Sequence, residues 1–130
     1  AQELGLPFVY VRPKPKAHGL NNLIEGVLEK EQSVVVIEDL VSTGNSSLNA
    51  VQAIRDAECE VRGMVSIFSY GFKIAEDNFR NAKCKLFTLS DYEVLIEQAL
   101  KAKYISEDDL KSLKEWREAP QDWGQELVGE

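Results

Sequence analysis

An aliphatic run, Val34-Val35-Val36-Ile37, ends in two adjacent carboxylates, Glu38 and Asp39, and Ser42-Thr43-Gly44-Asn45-Ser46-Ser47 follows two residues later. Four consecutive aliphatics suit a strand buried on both faces, as strands of parallel sheets are. Glu38 and Asp39 would emerge at its carboxyl end, where open α/β sheets bind ligands. The small-residue loop puts hydroxyls, an amide and an unhindered glycine at a helix N-terminus, where several N–H groups have no helical partner. A phosphate is the natural acceptor there. The helix dipole contributes only about 0.3–1 kcal/mol at an exposed site, so affinity must come mainly from convergent hydrogen bonds. The plainer alternative is that Asn45 or Ser46 merely caps the helix.

The rest of the chain sets this unit in an alternating frame. Residues 1–5 read as the last turn of a helix stopping at Gly5, with Pro7 beyond it. A domain seldom begins with the tail of a helix, so an upstream part is expected to be missing. Residues 8–11 read as a strand, 12–22 as a loop without hydrophobic periodicity, and 23–26 as a short strand. Residues 46–58 place Leu48, Val51 and Ile54 on one side, the stripe of a helix that covers a sheet. Strands over 61–68 and 85–89 alternate with helices over 72–82 and 92–101, the latter capped by Asp91 or Ser90. Ser106-Glu107-Asp108-Asp109 resembles a capping box opening a last helix that stops near Pro120. This alternation predicts an α/β fold with a mainly parallel sheet and right-handed crossovers.

Composition excludes several classes. At 130 residues and 44% hydrophobic, the chain suits one soluble domain. No apolar run reaches the length of a membrane span, and Ala1-Gln2-Glu3 does not open a signal peptide, so no membrane association is expected and the default location is the cytoplasm. Cys59 and Cys84 lack a CxxC partner and His18 is the only histidine, which argues against a Cys/His zinc site and for two reduced thiols, with no metal-ligating residues on the protein. The net charge of −7 does not suit a nucleic-acid binder. The basic excess is confined to Arg12, Lys14 and Lys16 in one loop, a distribution fitted to a small polyanion. An aliphatic run ending in two acids also describes the magnesium-holding strand of nucleotide hydrolases, but no Gly-Lys pair exists in the chain for the required phosphate loop. The acids can instead hydrogen-bond a ribose diol. Asn45-Ser46-Ser47 matches a glycosylation acceptor, discounted at a helix start in a chain without a secretory signal.

The run of residues 34–46, together with the upstream Arg12-x-x-x-Lys16-x-His18-Gly19, resembles the type I phosphoribosyltransferases, and among them those acting on orotate. The likeness continues through Ile67-Phe68-Ser69-Tyr70-Gly71, Leu89-Ser90-Asp91-Tyr92 and Leu95-Ile96-Glu97-Gln98-Ala99. It implies a three-layer α/β fold, a mainly parallel sheet with flanking helices, and transfer of the 5-phosphoribosyl group from 5-phosphoribosyl-1-diphosphate to orotate. By position it makes Glu38 and Asp39 the ribose-hydroxyl ligands and Ser42, Thr43, Gly44, Asn45 and Ser46 the cradle of the 5-phosphate. Ser42 and Tyr70 would lie near the base. Arg12, Lys16 and His18 match a mobile catalytic loop, which in the family closes over the diphosphate and commonly reaches into the other subunit of a homodimer.

Chemistry supports those roles. Breaking the C1–O bond builds positive charge on the sugar and negative charge on the departing diphosphate, so cations aimed at the latter lower the barrier. Loop closure would exclude water that could hydrolyse the sugar. Magnesium, carried on the diphosphate oxygens, would need no dedicated protein ligands. The chain departs from the family pattern in three places. Pro13 stands where many relatives have a lysine, with Lys14 one step later; Pro13 and Pro15 stiffen the loop and leave Gly19 as the hinge. Tyr70 stands where some relatives have an arginine for the orotate carboxylate, which keeps open another base as acceptor. The family's N-terminal hood and diphosphate loop have no counterpart before Phe8. Residues 1–120 are therefore expected to be a core lacking its N-terminal part, with 121–130 a tail and turnover weak or absent. A module that senses the ribosyl donor without catalysis is the remaining alternative; it would have no need of Lys16 and His18.

Overall fold

The computed structural model describes residues 1–13 and 23–121. A 3-10 turn at Gln2–Leu4 stops at Gly5, whose φ of 62° is the left-handed conformation expected of a terminating glycine. Strands β1 (Tyr10–Val11) and β2 (Ile24–Glu25) pair antiparallel, with Arg12 N–H donating to the Leu23 carbonyl at 2.7 Å. They form the stem of the loop predicted over 12–22. Its residues 14–22, including Lys16 and His18, lie outside the described residues, as do residues 122–130 of the expected tail.

The main sheet is parallel, in the order β3 (Ser33–Val41), β4 (Glu60–Ser69), β5 (Leu86–Asp91). Helix α1 (Asn45–Asp56) links the first two strands and α2 (Lys73–Asn81) the second pair, and α3 (Tyr92–Lys101) and α4 (Glu107–Glu118) follow. This is the expected alternation of strands and helices. Asp91 caps α3 by accepting from Val94 N–H at 2.9 Å, and Ser106 and Asp109 form the reciprocal capping box of α4.

The core lies on one side of the sheet. Val36 and Val41 of β3 and Met64 of β4 pack against Val51 and Ile54 of α1 and Ala75 and Phe79 of α2, with Cys59 and Cys84 at the edges. Both cysteines are free thiols, and burial pushes the Cys84 thiol above its ordinary pKa. Arg55 near the end of α1 donates to the carbonyls of Ala82 and Lys83 at 2.8 and 3.2 Å, capping the end of α2 and fixing the two helices relative to each other. The opposite face of the sheet carries Val35, Ile37, Ile67, Phe87 and Leu89, each between 53% and 77% exposed. The aliphatic run in β3 is thus not buried on both faces: Val36 is in the core, whereas Val35 and Ile37 point to the bare side.

Candidate functional site

β3 runs to Val41, further than the aliphatic run suggests, so Glu38 and Asp39 sit within the strand. Strict alternation would send neighbouring carboxylates to opposite faces. Val36 and Val41, five residues apart, both face the core, so the alternation is not strict along β3; the register shift against β4 lies between Val34 and Val35, and Glu38 and Leu40 stay in register with Ser66 and Phe68 on either side of Asp39. The Asp39 carbonyl accepts from the Ser66 hydroxyl at 3.3 Å. Glu38 is half-buried and Asp39 exposed, its carboxylate accepting from the N–H of Leu40 at 2.7 Å.

Residues 42–44 form the turn between β3 and α1, and Gly44 is the N-cap, with φ 83°. No side chain caps the helix: Leu48 N–H reaches the Gly44 carbonyl at 2.9 Å, but neither Asn45 nor Ser46 turns back onto the first turn. The capping alternative is therefore not what the structure adopts, and the first N–H groups of α1 face outward unclaimed by a cap. Asn45 and Ser46 are exposed, Ser42 and Thr43 half-buried.

Helix α2 holds this loop from beneath. A Cβ on Gly44 would stand 2.6 Å from Cε2 of Phe79. The neighbouring Asn78 donates from Nδ2 to the Thr43 carbonyl at 3.0 Å and to Asn45 Oδ1 at 3.2 Å. Sequence reasoning missed Asn78. No local signal could have found it, because an asparagine inside a nine-residue helix reads as a solvated position and its partners lie in a distant loop.

Tyr70 lies beside the start of the same loop, since its N–H donates to the Val41 carbonyl at 3.2 Å, one residue before Ser42. The two residues assigned to the base are thus neighbours across the ends of β3 and β4. The Tyr70 ring stacks on Phe72 (centroids 5.2 Å apart, planes 7° from parallel) and meets Phe68, Tyr92 and Trp116 at 5.3, 5.9 and 5.7 Å. The Tyr92 hydroxyl donates to the Leu113 carbonyl at 3.3 Å, tying α4 to α3 beneath these rings. Burial, with Tyr70 nearby, pushes the Tyr92 phenol above its ordinary pKa.

At the stem of the loop, Arg12 pairs with Glu25 at 3.1 Å across β1 and β2. The arginine assigned to the diphosphate is thus tethered to the opposite strand in this state. Among the described residues no group of three or more His, Cys, Asp or Glu could hold a metal ion. Two carboxylates, an uncapped helix start and a clamped small-residue loop, all at the carboxyl end of β3, suit a ligand with hydroxyls at one end and a phosphate at the other.

No protein-family model matches the chain. It is similar to the orotate phosphoribosyltransferase of Porphyromonas gingivalis, 56% identical over 124 residues, covering 95% of this chain and 59% of that protein. The enzyme of the same name from Cytophaga hutchinsonii is 54% identical over 123 residues, again covering 95% and 59%. The chain thus spans less than two thirds of the length of these curated relatives. Among solved structures, the orotate phosphoribosyltransferase of Aeropyrum pernix superposes with a TM-score of 0.68 at 25% identity, covering 81% of this chain and 56% of that one. The UMP synthase of Leishmania donovani superposes at 0.72 and 23% identity, covering 89% and 25%, a likeness of fold. Over 95% of its length the chain is homologous to the orotate phosphoribosyltransferases, and its parallel sheet with flanking helices is the type I phosphoribosyltransferase fold.

Proposed function

We propose that the protein carrying these residues transfers the 5-phosphoribosyl group from 5-phosphoribosyl-1-diphosphate to orotate, giving orotidine 5'-phosphate and diphosphate in pyrimidine nucleotide synthesis. The observation that carries the reading is the uncapped start of α1 at Gly44, reached directly from the strand bearing Glu38 and Asp39. In this reading the carboxylates accept from the ribose hydroxyls, and Ser42, Thr43, Gly44, Asn45 and Ser46 surround the 5-phosphate with N–H and hydroxyl donors. Ser42 and Tyr70 border the base. Arg12, Lys16 and His18 draw negative charge onto the leaving diphosphate, and their loop shields the sugar from water as the C1–O bond breaks. Magnesium on the diphosphate oxygens supplies further charge neutralisation. Arg12 must exchange Glu25 for the diphosphate when the loop closes. The assembly is a homodimer in the cytoplasm, each loop serving the other subunit's site.

The test is a base screen on the complete gene product with 5-phosphoribosyl-1-diphosphate and magnesium, following orotate by its ultraviolet absorbance. Orotate is expected to be consumed, and Glu38→Gln with Asp39→Asn to lower kcat/KM by roughly 100-fold, the loss of two hydrogen bonds to charged groups. Turnover only with hypoxanthine, guanine or adenine would sink the orotate assignment. Tyr70, standing where some relatives have an arginine for the orotate carboxylate, is the residue that keeps that second reading, phosphoribosyl transfer to another base, in view. Donor binding without turnover of any base, unchanged in Lys16→Ala, would instead indicate a sensor of the ribosyl donor.

A further inference from the structure

We propose that Asn78 of α2 is a positioning residue for the phosphate loop, acting through Thr43 and Asn45 to aim the Asn45 amide at the bound phosphoryl group. This rests on the reading of residues 42–46 as the cradle of the donor's 5-phosphate. The Asn78 side chain offers two N–H donors on Nδ2 and one acceptor oxygen. Its Nδ2 lies 3.0 Å from the Thr43 carbonyl oxygen and 3.2 Å from Asn45 Oδ1. A carbonyl can only accept, so the Thr43 contact fixes which end of the Asn78 amide faces the loop. One Nδ2 hydrogen is then committed to Thr43, and the other needs an acceptor at Asn45. Asn45 therefore turns its oxygen toward α2 and its own NH2 group away from it. Asn45 is exposed, so those two donors are left for a ligand at the helix start.

The grip is continuous. Asn78 holds Thr43 and Asn45, and Phe79 fills the space under Gly44 where no Cβ would fit. Three successive residues at the junction of the loop and α1 are thus set by two successive residues of α2. Donors fixed in advance lose less freedom when the ligand arrives, so removing the clamp weakens phosphate binding without touching the ligand.

The experiment uses the complete gene product and compares Asn78→Ala with Asn78→Asp, which keeps the shape but offers the Thr43 carbonyl no N–H. Both are expected to raise the KM for 5-phosphoribosyl-1-diphosphate about tenfold while kcat and the KM for orotate stay near the parent values, a split that general destabilisation would not produce. Asn45→Ala combined with Asn78→Ala is expected to lose less than the product of the single effects, because the clamp acts partly through Asn45. Asn78→Ser, with a single hydroxyl donor, is measured alongside in case the aspartate variant fails to fold, and is expected to fall between parent and alanine. A donor KM within twofold of the parent in the folded variants, or single losses that multiply in the double variant, overturns the positioning role. Asn45→Ala and Ser46→Ala separate this from failure of the underlying reading. If they too leave the donor KM unchanged, the phosphate cradle itself is wrong; if they raise it and the Asn78 variants do not, only the clamp is wrong.

Discussion

Gly44 is held by two independent constraints, a backbone at φ 83° and the ring of Phe79 lying 2.6 Å from where a Cβ would be built. An alanine meets the penalty of the left-handed region, about 1–2 kcal/mol, and must also push a buried ring aside, for about 1–3 kcal/mol more. Gly44→Ala is therefore expected to lower the unfolding free energy by roughly 2–5 kcal/mol in urea titrations and to weaken donor binding. An unchanged midpoint would show that the loop can reshape around the methyl group. The requirement for a small residue at Gly44 was legible in the sequence, because loop, acids and helix are contiguous. Asn78 was not legible: its partners lie 33 and 35 residues away, and nothing local distinguishes it from a solvated helix asparagine. The pairing of Arg12 with Glu25 escaped for a similar reason, since it depends on the register of two strands two residues long.

At the scale of elements, helix starts were readable, and the ends of α3 at Lys101 and of α4 near Pro120 were too, whereas the end of α1 was not. Asp91 and Ser106 announce α3 and α4 by the chemistry of their side chains. The ends lack the usual glycine: Glu58, Lys83 and Lys103, with φ of 60°, 50° and 61°, take the left-handed turns after α1, α2 and α3. That is why α1 was expected to reach residue 58 and stops at Asp56. The capping box of α4 also carries a pH dependence. The Ser106 backbone N–H and hydroxyl hold the Asp109 carboxyl below its usual range. A group whose pKa is lowered by folding stabilises the fold above its unfolded pKa, and loses that contribution as pH falls through the folded value. The melting temperature is thus expected to drop below about pH 4, the ordinary range of an aspartate, with part of that drop missing in Asp109→Asn. Ser106→Ala should remove about 1 kcal/mol at neutral pH. Parallel acid limbs for parent and Asp109→Asn would show that the carboxylate contributes nothing there.

For the whole molecule, alternating strands and helices were enough to give the parallel sheet, but not which side of it is covered. Four aliphatics in a row read as a strand buried twice over, and in this chain only alternate members are covered. Ile37, Val65 and Phe87 are register neighbours across the three strands, so the exposed side chains form a contiguous apolar surface. Such surfaces promote association. The 130-residue chain alone is expected to bind a hydrophobic dye and to sediment with a concentration-dependent mass, and Ile37→Thr with Phe87→Thr to reduce both without lowering the melting temperature. A monodisperse, dye-silent chain would contradict this. The same one-sidedness has a consequence for selection. Substitutions at Val36 act on whether the chain folds, and those at Val35 or Ile37 on whether it stays dissolved. A library scored on expression alone would blend the two, whereas sorting survivors by thermal midpoint would write the parity of β3 back into the list of tolerated residues.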